Sequence, residues 1–124
     1  MKILISNSSS MPIYEQIGDQ IKTLILKEEI EQGEPLPSIR MLAKELHISV
    51  ITTKRAYEEL ERDGYIETVR GKGSFVKSQN QELLREKKLK RIEDMLSDVV
   101  DESRALGLTL NELSELLNVI YEEE

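Results

Sequence analysis

Two short amphipathic segments joined by a tight turn place the strongest constraint on how this chain folds. Each follows a serine suited to cap a helix, Ser38 for the first segment and Ser49 for the second. Their inward residues recur three and four positions apart, as on one helix face: Ile39, Leu42, Ala43 and Leu46, then Thr53, Ala56, Tyr57 and Leu60. The turn falls at His47-Ile48. Two helices of this size and spacing form the helix-turn-helix pattern.

A helix is predicted before this pair and a hairpin after it. Pro12 suits a first helical position, and apolar residues spaced by three and four then mark one helix face that ends near Gly33. Tyr65 to Val69 and Ser74 to Lys77 favour strands on either side of residues 70 to 73, which predicts a hairpin with a basic, glycine-rich tip. The first ten residues are expected to form a loose terminus.

Two further helices are predicted after a polar linker at residues 78 to 81. A long helix is expected from about Glu82 to Leu106, and Gly107 ends it. Thr109-Leu110-Asn111-Glu112 is a capping-box sequence that opens a last helix. This helical pair has more apolar surface than the two helices can bury against each other. The surplus implies a partner, and the simplest partner is a second copy of the chain.

The composition excludes several classes of function. The chain of 124 residues has no Cys and one His, His47, so thiolate metal sites and histidine-based triads are excluded. No nucleophile and base occur in a catalytic arrangement, so neither an enzyme nor a cofactor is expected. No apolar run approaches the roughly 20 residues that cross a bilayer. We therefore expect a cytoplasmic protein without membrane contact.

The net charge of −7 argues at first against a nucleic-acid partner. The acids are unevenly distributed: residues 79 to 124 hold 12 Asp and Glu against 6 Lys and Arg, whereas residues 1 to 78 hold 12 against 11. Residues 68 to 77 contain three basic residues and no acid, and residues 85 to 91 are also basic. A polyanion would have to bind at these places, although residues 85 to 91 also fit the solvent face of a dimerisation helix.

The motifs in and around the helix pair resemble the DNA-binding domain of GntR-family transcription regulators. The matching residues are Pro35-Leu36-Pro37-Ser38-Ile39-Arg40, Ser49, Thr52, Arg55-Ala56-Tyr57, Leu60-Glu61, Gly64-Tyr65-Ile66 and Gly71-Lys72-Gly73-Ser74-Phe75-Val76. The resemblance covers about residues 10 to 78 and implies a mainly α fold with a small β-hairpin, the winged helix-turn-helix domain.

The C-terminal segment is too short for the large effector-binding domain that this family normally carries. Residues 79 to 124 are similar to the helical tail of the YtrA-like subfamily, which mediates dimerisation. The resemblance implies a homodimeric regulator, a repressor, whose partner is a double-stranded DNA operator. Two-fold symmetry then predicts that the operator is pseudo-palindromic.

The outward face of the second helix offers the first candidate DNA contacts. Helical spacing places Val50 and Ile51 outward, where they could contact thymine methyl groups in a major groove. The alternative is that Ile51 packs under a neighbouring loop. Ser49 and Thr52 lie on the first turn, where they can cap the helix and also hold a phosphate.

Basic residues supply the remaining candidates. On the helices these are Arg40, Lys54 and Arg55, and the family's arginine at the position of Arg40 contacts DNA. At the hairpin tip, Arg70, Gly71 and Lys72 suit the narrow minor groove, because glycine permits close approach and the cations match its negative potential. A turn without DNA contact and a nucleotide-phosphate cradle are the alternatives, and the spacing does not fit a phosphate loop.

Two questions stay open at the level of the sequence. A pocket of the usual 300 to roughly 1,000 Å³ does not fit within residues 79 to 124 of one subunit, which leaves the space between subunits for an unidentified small-molecule effector. Exposed Val50 and Ile51 would also suit a protein-interaction module, which would bind independently of salt and of Arg40.

Overall fold

The computed structural model describes residues 1–79 and 81–123. Within them the element order is α1 (Ile13–Leu26), α2 (Ile39–Leu46), α3 (Val50–Arg62), β1 (Ile66–Val69), β2 (Gly73–Val76), α4 (Gln81–Leu106) and α5 (Leu110–Glu122). The chain forms two compact units, Met1–Leu84 and Arg85–Glu124. Asn80, in the predicted linker, lies outside the described residues.

The helix-turn-helix pair is built as the sequence predicts. The Ser38 hydroxyl accepts a hydrogen bond from the Met41 N–H, and the Ser49 hydroxyl accepts one from the Thr52 N–H, each at 3.1 Å. These bonds satisfy amide groups that the first turn of a helix leaves without partners. His47 ends α2 in the left-handed conformation with a φ of 57°, which turns the chain into α3.

The helix α1 packs against α3 and covers the core. Ile17 and Ile21 are fully buried, together with Leu42 of α2, Leu60 of α3, Ile66 of β1 and Val76 of β2. The predicted end of α1 near Gly33 is wrong, because the helix ends at Leu26. Glu28 takes a φ of 59°, and the N–H groups of Glu29 and Ile30 then both donate to the Leu24 carbonyl. The chain turns back there and buries Ile30. Pro12 precedes the helix as its N-cap.

Residues 3 to 6 pack against α1, so the prediction of a loose terminus is wrong for this segment. Two glutamines of α1 hold this segment. Gln20 exchanges two hydrogen bonds with the backbone of Leu4, at 2.9 and 2.6 Å. Gln16 does the same with Ser6, at 2.9 and 3.1 Å. Ile3 is consequently only 6% exposed and joins the core.

The predicted hairpin is present and is attached along one edge to the preceding connector. β1 and β2 pair antiparallel from Ile66 with Val76 to Val69 with Gly73. Gly71 and Gly73 have positive φ values of 82° and 105°, which the tight turn requires. On the other edge of β2, the Leu36 N–H donates to the Ser74 carbonyl and the Gly33 N–H to the Val76 carbonyl. These bonds fix the hairpin relative to the helix pair.

The two predicted C-terminal helices are present with their predicted signals. Gly107 ends α4 with a φ of 82°, and Thr109 and Glu112 form a complete capping box at the start of α5. Most apolar side chains of the two helices are exposed, as the predicted surplus of apolar surface requires. No residue of α5 is buried, and Leu116 and Leu117 are each 50% exposed. Among the described helices, none is long and apolar enough to cross a membrane.

Candidate nucleic-acid interface

The first turn of α3 presents a pair of hydroxyl groups beside the helix N-terminus. The Ser49 and Thr52 hydroxyls lie 2.8 Å apart, and the Ser49 hydroxyl also caps the Thr52 N–H. The capping role of Ser49 is therefore confirmed. Since helix N-termini attract anions, the same turn can hold a phosphate, and this role stays a prediction.

Next to this turn, Val50 and Ile51 form an apolar projection. Val50 is 47% exposed and Ile51 is 81% exposed. An isoleucine packed under a loop would lose most of its exposure, so the alternative in which Ile51 packs under its neighbour is excluded. Two β-branched side chains at the exposed start of a helix are available for contact with an apolar group outside this unit.

Arg40 shares a surface with Val50. Both line a shallow depression of about 630 Å³ between α2 and the start of α3, together with Lys44. Tyr57 fixes the spacing of the two helices, because its buried hydroxyl donates to the Pro37 carbonyl at 2.7 Å. Burial raises the pKa of the Tyr57 phenol, and the negative charge of Glu45 raises it further. This bond anchors the chain just before Arg40.

Sequence reasoning did not single out Lys44 or Met41 for this surface. Lys44 lies four residues after Arg40 and therefore on the same face of α2, and Met41 is exposed at its first turn. The four-residue spacing from Arg40 is the sequence signal that could have identified Lys44.

Lys54 faces a different part of the surface from Arg40. It lines a depression of about 520 Å³ that also includes Thr68 of β1. Ile39 of α2 also lines this depression, so Lys54 lies between the start of α2 and the hairpin, and Arg40 and Val50 line a separate depression.

Arg55 differs from the other cations because it has partners within the protein. Its guanidinium lies 3.8 Å from the centroid of the Tyr14 ring, and Nη2 donates to the Tyr14 hydroxyl at 3.1 Å. Its Nε is 3.8 Å from a carboxylate oxygen of Glu59. Arg55 thus connects α3 to α1.

The hairpin tip brings together Arg70, Gly71 and Lys72, which are all exposed. A side chain at Gly71 would meet nothing within 4 Å, so open space surrounds the turn. Across residues 1–79 and 81–123, no side-chain hydrogen bond or ion pair is formed by the remaining cations of the predicted site: Arg40, Lys54, Arg70 and Lys72. These four cations therefore have no close carboxylate partner among the described residues.

Comparison with known families decides the identity of this fold. The family described as "Bacterial regulatory proteins, gntR family" matches residues 13–76. This chain belongs to the GntR family. The match includes both helices of the helix-turn-helix pair and the whole hairpin, so the winged-helix fold predicted from the sequence is confirmed.

Individual relatives of the GntR family extend the similarity to the rest of the chain. The HTH-type transcriptional repressor YtrA of Bacillus subtilis (strain 168) is 39% identical over 118 residues, which are 95% of this chain and 91% of that protein. A solved GntR family transcriptional regulator from Listeria monocytogenes superposes with a TM-score of 0.78 at 30% identity, over 90% of this chain and 96% of that one. The YtrA-like resemblance is confirmed.

A further neighbour was solved with DNA. The DNA-binding domain of AraR in complex with operator ORX1 has a TM-score of 0.54 and 25% identity, and the match covers 61% of this chain and 95% of that one. As a GntR-family protein, this chain is a DNA-binding transcriptional regulator, and its relatives are regulators and not enzymes.

Proposed function

We propose that the protein is a homodimeric repressor that binds a pseudo-palindromic operator. The observation that carries the proposal is the surface around the start of α3, where Arg40 and Val50 line one depression and Ile51 projects beside it. Arg40 has no acidic partner in the described chain, and a cation without one is ready to pair with phosphate. The relative YtrA is named a repressor, which favours repression over activation.

In this proposal α3 enters the major groove and the hairpin enters the adjacent minor groove. Val50 and Ile51 contact thymine methyl groups, and Ser49, Thr52 and Lys54 bind the phosphates beside them. Arg70 and Lys72 carry positive charge into the minor groove, and Gly71 permits the approach of the backbone. Arg40 contacts the DNA from the first turn of α2.

Residues 10 to 78 would then bind DNA, and residues 79 to 124 would form the dimer. The proposed dimer surface consists of the apolar stripes that α4 and α5 leave exposed, which include Ile92, Leu96, Leu117 and Ile120. Exposed apolar stripes on two successive helices mark a protein interface. A second copy can cover them through the same surface on both chains, which places two copies of α3 on half-sites one helical turn apart or a multiple of it. A regulator of this kind would act in the cytoplasm.

The proposal is tested by selecting binders from random duplex DNA with the full chain. A two-fold-related sequence should emerge, and its affinity should fall steeply with salt yet remain above that of a scrambled duplex at physiological salt. Arg40→Ala should lower operator affinity by about 1 to 3 kcal/mol, whereas Lys27→Ala, which removes an exposed cation just after α1 that is outside the proposed DNA and dimer surfaces, should leave it unchanged.

The exposure of Ile51 supports one rival function, a surface that docks onto another protein. The rival predicts no enriched DNA sequence and no effect of Arg40→Ala on binding. Enrichment of a single half-site without its two-fold mate would argue against the homodimer while leaving DNA binding intact.

A further inference from the structure

The helix α2 turns one face into the core and the other outward. On the inward face Leu42 and Ala43 are 1% and 2% exposed, whereas Arg40 and Lys44 are both exposed. Residues four positions apart lie on the same side of a helix, so these two cations form a row along the outward face. The function proposed above gives a DNA contact to Arg40 and none to Lys44.

The row of two cations lies beside the start of α3. Both cations line the depression of about 630 Å³ that also includes Val50. Met41 and Ile48 line the same depression, so cationic and apolar side chains lie together there. Val50 begins the helix that is proposed to enter the major groove. The inference that follows rests on this proposed function, in which the depression faces DNA.

The ammonium group of Lys44 is available to a ligand. Among residues 1–79 and 81–123, no carboxylate lies within 4.0 Å of its Nζ. Glu45 lines the same depression, but it forms no ion pair with Lys44 in that part of the chain. An exposed ammonium group has three hydrogen-bond donors. Lys44 can therefore bind an anion without first breaking an ion pair within the described chain.

The spacing of the two cations fits one strand of DNA. Four residues of α-helix rise about 6 Å along the helix axis. Successive phosphates of one strand rise about 3.4 Å along the duplex axis and also move around it, so two such side chains can reach phosphates that are close together on a strand. In helix-turn-helix proteins the first helix of the pair crosses the DNA backbone, and α2 is the first helix here.

We propose that Lys44 is a further DNA-contacting residue, which binds a phosphate on the strand crossed by α2. A phosphate contact carries no sequence information, but it fixes the register and orientation of the protein on the duplex. Arg40 and Lys44 then hold the DNA from the first and the last turn of α2, and this fixes the position of α3 in the groove.

The position of Lys44 also allows a purely structural role. Lys44 lies in the last turn of α2, where a cation interacts favourably with the helix dipole. That interaction stabilises the folded protein whether or not DNA is bound. The salt dependence of DNA binding separates the two roles, because only a cation that contacts phosphate releases counterions from the duplex.

The first experiment is a salt titration of DNA binding with the full chain. Lys44→Gln should reduce the slope of log affinity against log salt by about 0.9 for each bound subunit, the value for one phosphate contact on B-DNA. Raising the salt from about 50 to 200 mM should then cost the natural chain roughly 3.5-fold more affinity per subunit than the variant. This difference should be the same on operator and scrambled duplexes, as expected for a phosphate contact.

Two matched variants accompany the salt titration. Lys44→Arg keeps the positive charge and should keep the slope of the natural chain. Lys27→Gln removes an exposed lysine just after α1 and should also leave the slope unchanged. An unchanged slope in Lys44→Gln, or an equal reduction in Lys27→Gln, would overturn the proposal.

A second experiment identifies the phosphate. Each phosphate of the selected operator is replaced in turn by a neutral methylphosphonate. One replacement in each half-site should weaken binding of the natural chain and have no effect on Lys44→Gln, because the variant has no charge to pair with that phosphate. A scan in which every replacement weakens both proteins equally would exclude the contact.

Failure of this proposal is distinguishable from failure of the proposed function. If no operator is selected, the proposed function fails, and the salt titration on a duplex of mixed sequence still decides whether Lys44 contacts phosphate. Urea denaturation of Lys44→Gln checks the fold. A loss of stability together with an unchanged salt slope would assign Lys44 to the helix terminus alone and overturn the DNA contact.

Discussion

The guanidinium of Arg55 lies over the ring of Tyr14, 3.8 Å from its centroid, and so joins α3 to α1. The same side chain approaches Glu59 at 3.8 Å. Of the five cations that the sequence predicts to contact DNA, Arg55 alone has such partners among the described residues. Its geometry therefore favours a role in holding the two helices together over a role at a phosphate.

The first prediction separates stacking from hydrogen bonding at this pair. Tyr14→Leu should destabilise the fold by about 0.5 to 1 kcal/mol, the usual size of an exposed cation–π contact. Tyr14→Phe keeps the ring and should cost less. Urea denaturation measures both. If Arg55→Gln leaves stability unchanged but lowers the salt dependence of operator binding, the side chain contacts phosphate and this assignment is wrong.

Local patterns were sufficient to predict the elements that carry the candidate site. Ser38 and Ser49 specify the starts of α2 and α3 through hydrogen bonds to residues only three positions further along the chain. Helical spacing is enough to place Ile51 outward. What the sequence did not predict depends on partners far along the chain. Gln20 meets Leu4 sixteen residues away, and Arg55 meets Tyr14 forty-one residues away. Neither interaction produces a pattern among neighbouring residues of the sequence.

The end of α1 was mispredicted for a different physical reason. Helices commonly end on glycine in the left-handed conformation, which suggested Gly33. Glu28 adopts that conformation instead, with a φ of 59°. The burial of Ile30 offsets this strain, because the turn directs that side chain into the core. Likewise, sequence indicates that α4 and α5 are amphipathic but not which surface covers them.

A second prediction tests the contact between Ile51 and thymine. Replacing thymine by uracil in the operator removes only the methyl group, so single replacements should weaken binding by the natural chain at one or two positions. The loss at one of them should disappear in Ile51→Ala, because the variant has no side chain to meet that methyl. Uracil replacements that weaken both proteins equally would exclude this contact.

A third prediction counts phosphates at the wing. Lys72→Gln should reduce the slope of log affinity against log salt by about 0.9, the value for one phosphate contact on B-DNA. It should also weaken binding to the operator at least as much as binding to a scrambled duplex, because the minor-groove potential that attracts this cation depends on sequence. Lys27→Gln, an exposed lysine just after α1, is the matched control and should leave the slope as it is.

A fourth prediction concerns the turn between α2 and α3. His47 has a φ of 57°, a conformation that costs a non-glycine residue about 1 kcal/mol or more. His47→Gly should therefore raise the free energy of unfolding by about 1 kcal/mol. Glu45→Gly, within α2, should lower it by a similar amount because glycine disfavours helix. Equal losses in both variants would show that the histidine side chain supports the turn.

The last prediction uses the buried phenol that anchors α2 to α3. Tyr57→Phe removes the hydrogen bond to the Pro37 carbonyl, at 2.7 Å, and should cost about 1 to 2 kcal/mol near neutral pH. Tyr121→Phe makes the same chemical change at an exposed position and should cost nothing measurable.

The cost should also depend on pH in a defined direction. Burial raises the pKa of Tyr57 in the folded state, above the value of about 10 in the unfolded chain. Its contribution is thus complete below pH 10 and declines as pH rises further, because the unfolded chain then releases the proton more easily. Urea titrations between pH 7 and about 11 should show the natural chain losing its advantage over Tyr57→Phe above pH 10. A constant difference across that range would mean that the phenol ionises equally in both states and is not protected by burial.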